Sequence, residues 1–330
     1  MQWGTFVGNE ALKERLSAFF DRGCFPHAIL LEGVRGSGRR TLARHLAMAA
    51  VCAGDGPKPC GVCSACRKAA SGKHPDILEL GGDGAARSFH IDLIRTVREN
   101  AYVLPNEAPR RVFILTETQN MTDRAQNALL KVLEEPPAQA MFLLTCESRA
   151  QLLSTIQSRV VSLALEAVKA EEALPLLKAQ FPRSTEQELL LALSVYGGVI
   201  GQAMEGLSAG SFRQTQELAG AIAEAVTGPE EFPLLKLTAR FTKEKELLDG
   251  VLGSLTLMVR DALVMRYRRG ATGLSPDPAV AAMLSQKLTA EQLSSLLREL
   301  EQLAYWRRRN MNPTLFSTVM CARLRRAAGH

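Results

Sequence analysis

With 330 residues, the chain is long enough for two or three domains, because one hydrophobic core rarely extends beyond about 250–300 residues. Its 40 basic and 34 acidic residues leave a net charge of +6, but they are interspersed, so charge alone is a weak argument for nucleic-acid binding. No apolar run approaches the roughly 20 residues of a membrane span, and the first residues lack the basic and apolar regions of a signal peptide. We therefore expect a cytoplasmic protein with no membrane partner.

The first predicted element is a helix over residues 10–20, where apolar residues recur at helical spacing until Pro26 ends the pattern. A short apolar run at 28–31 predicts a buried strand that leads into a glycine-rich loop at 33–38. The stretch 41–51, rich in alanine and leucine, predicts the next helix. A strand, a glycine-rich loop and a helix in this order are typical of a phosphate-binding loop.

The loop keeps the glycines of the pattern G-x-x-x-x-G-K-[ST] but changes the residues that carry its chemistry. The pattern places a lysine on the β and γ phosphates and a hydroxyl group on Mg²⁺. Here Arg39 takes the lysine position and Arg40 the hydroxyl position, and arginine has no lone pair to offer a metal. The sequence predicts the scaffold of a nucleotide site without its chemistry, so ATP and Mg²⁺ are not expected cofactors. The positions that define this altered loop are Gly33, Gly36, Gly38, Arg39, Arg40 and Thr41.

Four of the seven cysteines fall in one window with the spacing C-x7-C-x2-C-x2-C, at Cys52, Cys60, Cys63 and Cys66. Two overlapping C-x2-C steps are difficult to satisfy with disulfides, and in a cytosolic chain such thiolates indicate a tetrahedral Zn²⁺. Four sulfur ligands leave no open position for water, so the predicted metal is structural. The alternative is a chance cluster of reduced thiols.

Strands and helices continue to alternate through Leu165, which predicts a parallel α/β sheet of five strands. The strand over 111–117 contains a continuous apolar run, as is typical of a central parallel strand. The remaining predicted elements, in chain order, are a strand at 76–80, a flexible turn at 81–84, a helix from Ile91 that is closed near Pro105, the strand at 111–117, a helix at 123–134, a strand at 141–146, a short helix at 149–156 and a strand at 160–165.

Beyond residue 168 the pattern is helical and is interrupted by proline and glycine. These breaks predict a small helical domain at 167–210 and a larger one at 211–330, after an α/β domain at 1–166 that carries the cysteine module at 52–66. The breaks are at Pro182, Gly197-Gly198, Gly228-Pro229, 270–278 and Pro313.

A long helix is predicted over 290–307, and it begins with a capping box formed by Thr289 and Gln292. Leucines recur along one stripe of this helix. Such a stripe forms intramolecular core more often than a partner surface, so we adopt the core interpretation. The stripe consists of Leu293, Leu296, Leu297, Leu300 and Leu303.

Two further motifs lie in the first domain, NALLKVLEEPP at 127–137 and TIQSR at 155–159. Shorter matches are Pro-His-Ala at 26–28 and Asn-Met-Asn-Pro at 310–313. Together with the altered loop and the cysteine module, these motifs resemble the clamp-loader subunits of the bacterial DNA polymerase III holoenzyme, and the resemblance covers nearly the whole chain. Among these subunits the delta-prime type is the closest match, while the gamma/tau type is expected to keep intact motor motifs.

For the three predicted domains, the resemblance implies an AAA+ P-loop α/β domain, a small helical lid domain and a C-terminal helical collar through which subunits assemble. It also shows which motor positions have changed. Thr116 stands where active members hold a metal-orienting aspartate, and Glu117 keeps the second acid. Thr145 matches a polar sensor position, and Gln202 stands where motor subunits hold a phosphate-facing arginine. Loss of the lysine, hydroxyl, aspartate and second arginine together implies loss of hydrolysis.

Ser158 and Arg159 keep the family motif that supplies an arginine finger in trans to the ATP of a neighbouring subunit. The third residue of that motif is Val160, which should matter little because the guanidinium does the electrostatic work. The alternative is that Arg159 caps the preceding helix or pairs with an exposed acid. Arg124 and Lys131 line a central chamber or are solvated surface charges.

The resemblance therefore implies a non-motor subunit without intrinsic ATPase activity, within a DNA-directed DNA polymerase (nucleotidyltransferase) holoenzyme. It would help to load the sliding clamp on primed DNA during DNA replication. Its expected partners are the gamma/tau and delta subunits, with the clamp and primed DNA reached through the assembled complex. One alternative is a gamma/tau-type ATPase that binds and hydrolyses ATP itself. Another is a direct nucleic-acid-binding module, based on the cysteine cluster and on the arginines at 307–309.

Overall fold

The computed structural model describes residues 1–81, 91–208, 210–268, 273–307 and 312–330. The chain divides into two compact units, Met1–Val168 and Lys169–His330, and each is described by itself. The predicted end of the α/β domain at residue 166 lies close to this division.

The first unit alternates strands and helices, as the sequence predicts. The cysteine module contributes the additional helix α3. The elements, in chain order, are α1 (Glu10–Asp21), β1 (Ala28–Glu32), α2 (Arg39–Val51), α3 (Ser64–Ala70), β2 (Ile77–Leu80), α4 (Ile91–Ala101), β3 (Arg111–Leu115), α5 (Asp123–Glu134), β4 (Ala140–Cys146), α6 (Ser154–Gln157) and β5 (Val161–Ala164).

The five strands form one parallel sheet in the order β2-β3-β4-β1-β5, which confirms the predicted parallel α/β fold. β1 pairs with β4 on one side and with β5 on the other, with Ile29 opposite Leu143 and Val161. Because every pairing is parallel, the strands end at one edge of the sheet and begin at the opposite one. We call these the carboxyl edge and the amino edge.

Both faces of the sheet carry a hydrophobic core. β3 and β4 are buried at every position, as expected for interior parallel strands. Phe113 of β3 stacks on Phe142 of β4 with ring centroids 5.2 Å apart, in the core that includes residues of α4 and α5. Leu42 and Leu46 of α2 belong to the second core, with alternate residues of β1. The sheet thereby holds the glycine-rich loop, which follows β1, on a rigid support.

The prediction of a single helix over residues 149–156 is wrong. The structure has a 3-10 turn at Arg149–Gln151, extended backbone at Leu152, and then the short helix α6. The break is held by Gln126 of α5, whose side-chain oxygen accepts a hydrogen bond from the backbone N–H of Leu153 at 2.8 Å. A contact between distant parts of the chain thus interrupts a pattern that looks continuously helical. The turn predicted at 81–84 lies outside the described residues from position 82 onwards.

The second unit is helical, and the part of it that the structure describes contains no strand. No helix among the described residues of the whole chain is both long and apolar enough to cross a membrane. The helices of the second unit are α7 (Ala170–Gln180), α8 (Glu186–Val195), α9 (Ile200–Ser208), α10 (Ser211–Val226), α11 (Phe232–Ala239), α12 (Leu248–Tyr267), α13 (Pro278–Lys287), α14 (Ala290–Arg307) and α15 (Pro313–Ala328).

α12 lies at the centre of this unit and contributes to its core together with α10, α13 and α14. Glycine lets α8 approach α12 closely, because a Cβ atom on Gly253 would lie 1.9 Å from the carbonyl oxygen of Val195. The predicted lid therefore packs directly on the predicted collar. The boundary between these two predicted domains, near residue 210, stays a prediction.

The capping box and the leucine stripe of α14 are both confirmed. The backbone N–H of Thr289 donates to Gln292 Oε1 at 2.8 Å, and the N–H of Gln292 donates to Thr289 Oγ1 at 3.2 Å. The stripe belongs to the core of the second unit, so it is intramolecular packing rather than a partner surface. Its buried members are Leu293, Leu296, Leu300 and Leu303, with Leu297 half-buried beside them.

Candidate functional site

The glycine-rich loop keeps the backbone curl of a phosphate-binding loop. It joins β1 to α2 at the carboxyl edge, and Gly36 and Gly38 adopt φ angles of 82° and 92°, a left-handed region that favours glycine. A Cβ atom on Gly33 would lie 2.6 Å from Ser37 Oγ. The loop therefore requires its glycines, and it directs the N-terminus of α2 towards the place where a phosphate would bind.

Arg39, at the lysine position, is bound to an acid of its own chain. Its side chain is 6% exposed, and Nη2 lies 3.0 Å from Oε1 of Glu117. The other carboxylate oxygen of Glu117 accepts a hydrogen bond from Gln119 Nε2 at 2.6 Å. Glu117 itself has a left-handed φ of 55°, and its backbone N–H donates to Thr145 Oγ1 at 3.1 Å. Both oxygens of the retained acid are thus engaged by neighbouring side chains.

Arg40, at the hydroxyl position, binds a second acid at the same edge. Its Nε atom donates to Oε1 of Glu79 in β2, and Arg44 Nε donates to the other oxygen, Oε2, at 2.7 Å. Burial alone would raise the pKa of Glu79, but the hydrogen bonds from Arg44 and Arg40 hold its pKa below the ordinary value. At the start of α2, Arg39 is therefore bound to Glu117 just after β3, and Arg40 is bound to Glu79 in β2.

Thr116, at the position of the missing aspartate, is buried and donates its hydroxyl to the carbonyl of Leu80 at 3.3 Å. Thr145 is also buried, and its carbonyl accepts a hydrogen bond from Thr118 Oγ1 at 3.0 Å. Thr41 is exposed in the first turn of α2. Together with the Arg39–Glu117 and Arg40–Glu79 pairs, Thr116 and Thr145 occupy the carboxyl edge with contacts inside the chain.

The four clustered cysteines meet at the end of α2 and around α3. Their Sγ atoms all lie within 4.8 Å of one another, and those of Cys60 and Cys66 are 3.9 Å apart. Four sulfurs at about 2.3 Å from a tetrahedral Zn²⁺ would be about 3.8 Å apart, so the donor set and its size fit that ion. Backbone N–H groups also point at the sulfurs, including Cys60 N to Cys52 Sγ at 3.3 Å and Cys66 N to Cys63 Sγ at 3.4 Å.

The cluster needs a positive charge if all four sulfurs are thiolates. The backbone N–H groups of Cys66 and Ala53 lower the pKa of Cys63 to about 6. Burial raises the pKa of Cys66 to about 12, so this thiol loses its proton at neutral pH only beside a cation. Backbone N–H groups also lower the pKa of Cys60, so the cluster favours two thiolates and buries the Cys66 thiol, which suits a metal ion that supplies the missing positive charge.

Arg159 lies just after α6, on the amino edge. Its Nη2 atom is 2.6 Å from Oε1 of Glu134, the last residue of α5. Its Nη1 atom donates to the carbonyl of Thr155 at 2.9 Å and to Ser158 Oγ at 3.0 Å. In this chain alone, Arg159 therefore both caps the preceding helix and pairs with an acid.

A groove of about 630 Å³ opens beside Arg159. It lies where β1 and β5 begin, at Ala28 and Val161, and so on the side of the sheet opposite the glycine-rich loop. Ser158 and Arg159 form part of one wall, and Glu134 lies beside them. The lining residues are Pro26, His27, Ala28, Leu133, Glu134, Ser158, Arg159, Val160 and Val161.

Asp76 is a buried acid that the sequence marks only as the start of a strand. Its carboxylate accepts hydrogen bonds from the backbone N–H groups of Asn106, Glu107 and Ala108, at 2.6, 2.9 and 3.0 Å. Although burial favours the protonated form, these donors hold the pKa of Asp76 below its ordinary value. Asp76 thus fixes the loop that leads into β3.

The structure separates the predicted site residues into distinct groups. Arg39, Glu117 and Thr145 meet at the carboxyl edge, and Ser158 and Arg159 lie at the amino edge. Arg124 and Lys131 are exposed on α5, and Gln202 lies in α9 of the second unit. Of the arginines at 307–309, Arg307 lies 3.4 Å from Asp249, and Arg308 and Arg309 lie outside the described residues, as do Asn310 and Met311.

The sequence reasoning missed the acidic and amide partners of these groups. Glu134 could have been suspected from the sequence, because a carboxylate at the last residue of a helix is unfavourable beside the negative end of the helix dipole and so suggests a basic partner. Glu79 and Gln119 carry no local signal, because their role follows from the strand order.

Comparison with known proteins gives a consistent result. The family described as "DNA polymerase III, delta subunit" matches residues 8–169. The DNA polymerase III subunit delta′ (delta-prime) of Escherichia coli K12 is 29% identical over 286 residues, which are 86% of this chain and 84% of that protein. The delta′ subunit of Haemophilus influenzae is 33% identical over 200 residues, 61% of each chain. The gamma/tau subunit of Mycobacterium tuberculosis H37Rv is 38% identical over 156 residues, 46% of this chain and 26% of that protein.

Two solved structures align with most of the chain at low TM-scores. A gamma subunit-related protein of Thermotoga maritima has a TM-score of 0.41 and 20% identity, and covers 96% of this chain and 99% of its own. The RuvB Holliday junction branch migration motor of Thermotoga maritima has a TM-score of 0.42 and 18% identity, and covers 91% of this chain and 88% of its own.

Proposed function

Because the chain belongs to the clamp-loader family of bacterial DNA polymerase III, with delta-prime subunits among its relatives, we propose that it helps to load the sliding clamp without hydrolysing ATP itself. As a DNA polymerase III component, it takes part in DNA replication. Its contribution to ATP hydrolysis is Arg159, which it lends to a neighbouring ATPase subunit.

The carboxyl edge supports the absence of hydrolysis. Phosphoryl transfer in P-loop enzymes uses a lysine on the phosphates, a hydroxyl and an acid on Mg²⁺, and a residue that orients the attacking water. Here the lysine and hydroxyl positions hold arginines bound to Glu117 and Glu79, and Thr116 cannot replace a metal-binding carboxylate. Glu117, the remaining acid, is engaged by Arg39 and Gln119 and is not free to orient a water molecule.

The position of Arg159 on the opposite edge is the observation that carries the finger proposal. A strand of five residues spans about 16 Å, so Arg159 is far from the glycine-rich loop of its own chain. It cannot act on a nucleotide there. It does face an open groove, and the motif that holds it supplies a finger to a neighbour in the family that it resembles. A nucleotide bound by an adjacent subunit is therefore the substrate that fits.

The proposed partners follow from the same role. The gamma/tau and delta subunits would be the neighbours, and the helices of 211–330 would hold the subunits together. The sliding clamp and primed DNA would be reached through the assembled complex. The four cysteines would hold a structural Zn²⁺ that joins α2 to α3 without an open coordination position.

The finger is tested in the reconstituted clamp loader by substituting Arg159→Ala and measuring ATP hydrolysis with clamp and primed DNA. Arginine fingers contribute about 10³–10⁵ in rate in other NTPases, so we expect the site served by Arg159 to become inactive and the total rate to fall. Arg149→Ala, which removes an exposed arginine elsewhere in the first unit, is the matched control. An unchanged rate in a correctly assembled Arg159→Ala complex would remove the proposed role.

A further inference from the structure

Arg159 is held by its own chain on two sides. Glu134 binds Nη2 at 2.6 Å, while the Thr155 carbonyl and Ser158 Oγ bind Nη1 at 2.9 and 3.0 Å. A guanidinium held in this way lies along the wall of the groove rather than reaching out from it. To contact the phosphate groups of another chain, it has to give up at least part of this arrangement.

Glu134 is placed against the preference of its helix. It is the last residue of α5, where the exposed carbonyl groups carry partial negative charge and a basic side chain would be favoured. Glu135 follows as the C-cap residue, and Pro136 and Pro137 then prevent the helix from continuing, so the chain fixes where the Glu134 carboxylate lies. The ion pair with Arg159 offsets the unfavourable interaction of the Glu134 carboxylate with the helix dipole.

The charge of Glu134 also opposes the task of a finger. A carboxylate beside a guanidinium reduces the positive potential that an approaching phosphate meets. The side chains of Arg159 and Glu134 are 33% and 46% exposed, so water and ions reach the pair and its two partners can separate. A phosphate chain carries more negative charge than one carboxylate, and it binds arginine through paired hydrogen bonds.

We propose that Glu134 is a positioning residue that holds Arg159 against its own subunit until a neighbouring subunit presents the phosphates of its bound nucleotide in the groove. The proposal rests on the function of Arg159 as a finger in trans. Binding is an exchange of partners, in which the guanidinium leaves the Glu134 carboxylate and joins the phosphate, and no covalent bond changes. Glu134 thereby suppresses hydrolysis before the subunits are brought into their active arrangement.

The test is Glu134→Gln in the reconstituted clamp loader, with ATP hydrolysis measured without and then with the clamp and primed DNA. Glutamine can still accept a hydrogen bond from Nη2 but lacks the charge. An exposed ion pair shifts an equilibrium by about two- to fivefold, so we expect the rate without clamp and DNA to rise by that factor. The stimulated rate should change less, and the ratio of the two rates should fall. A basal rate that is unchanged or lower would overturn the proposal.

Two further variants separate this proposal from the one on which it rests. Glu135→Gln removes the same charge from the adjacent exposed residue and should leave both rates unchanged. The double variant Glu134→Gln with Arg159→Ala should lose the gain in basal rate, because the gain acts through Arg159. If Arg159→Ala lowers the rate and Glu134→Gln has no effect, the finger stands and the holding role of Glu134 fails. If Arg159→Ala has no effect, the finger itself fails.

Discussion

Arg39 and Glu117 form an ion pair in which each residue accounts for the position of the other. Arg39 is almost fully buried, and a buried guanidinium without an acid would be costly. Glu117 has a backbone conformation that non-glycine residues rarely adopt, and its side chain is held by Arg39 and Gln119. The same acid that would orient a water molecule in a motor subunit here neutralises the arginine that replaced the lysine.

Replacing Glu117 with glutamine should therefore destabilise the first unit. The change leaves the Arg39 charge buried without its partner, at a cost of about 3 kcal/mol, the lower end of the range for a broken buried pair. Urea unfolding would be followed by the fluorescence of Trp3 in a Trp306→Phe background, so that the signal reports the first unit. Arg95→Gln breaks an exposed pair with Asp92, also in the first unit, and should cost less than about 1 kcal/mol. Equal small losses in the two variants would contradict the buried-pair account.

Asp76 predicts how stability depends on pH. Its pKa is lower in the folded chain than in the unfolded one, so it stabilises the fold above pH ~4 and loses this contribution as the pH falls through the folded pKa. Asp76→Asn should cost about 1–3 kcal/mol at neutral pH, since an amide cannot accept all of these hydrogen bonds. The difference from the parent chain should shrink as the pH falls below about 4, the unfolded pKa of an aspartate, measured by the same Trp3 unfolding assay. A difference that is constant with pH would mean that the carboxylate charge is unimportant.

The sequence shows which residues are chemically unsuited to a nucleotide site, but not what they contact. That Arg39 and Arg40 cannot bind Mg²⁺ follows from their side chains alone. Their partners are Glu117 and Glu79, which become neighbours only because β2, β3, β4 and β1 lie in that order. Glu134 and Arg159 are likewise brought together by the packing of α5 beside α6.

Among the elements, the sheet was predictable because each strand is a short apolar run bounded by turn residues. The helix at 149–156 was not, because Gln126 takes the backbone N–H of Leu153 and breaks the pattern from outside. The helix α3 was also missed, since its seven residues, which begin directly after Cys63, are too few to show a periodicity. Local patterns therefore specify the long elements, and tertiary contacts decide the short ones.

The cysteine module should contain about one equivalent of zinc per chain, and the metal should support α3 rather than the sheet. Cys63→Ser removes a thiolate ligand, whereas a serine can still cap the N-terminus of α3, so we expect loss of the metal and, as its consequence, faster proteolysis between residues 53 and 70. Cys24→Ser, a change at an exposed cysteine outside the cluster, is the control. Metal analysis of the purified proteins measures the zinc content, and limited proteolysis measures how accessible residues 53–70 become. Purified parent protein with much less than one equivalent of zinc would refute the assignment.

At the scale of the whole molecule, the proposed function gives the two edges of the sheet separate roles. The carboxyl edge, where a nucleotide would bind, is closed by the chain's own ion pairs, and the amino edge presents Arg159 in an open groove. The strands keep these edges apart, so a change at one edge does not have to alter the other. If the proposed function holds, the chain can lack nucleotide chemistry of its own at the carboxyl edge and still present Arg159 to a neighbouring subunit at the amino edge.

The isolated chain should accordingly bind Mg·ATP weakly or not at all. We expect no binding tighter than about 1 mM by calorimetric titration, because the arginines that replace the motor residues are already paired and Thr116 offers no carboxylate to the metal. The gamma/tau-type alternative predicts micromolar binding and turnover by the chain alone, and that result would identify an ATPase. In the assembled clamp loader, by contrast, hydrolysis by the other subunits should still depend on Arg159 of this chain. A donor of the arginine finger should show both weak ATP binding by the isolated chain and a strong effect of Arg159→Ala in the complex. A motor subunit should instead bind ATP by itself, because it hydrolyses the nucleotide in its own site.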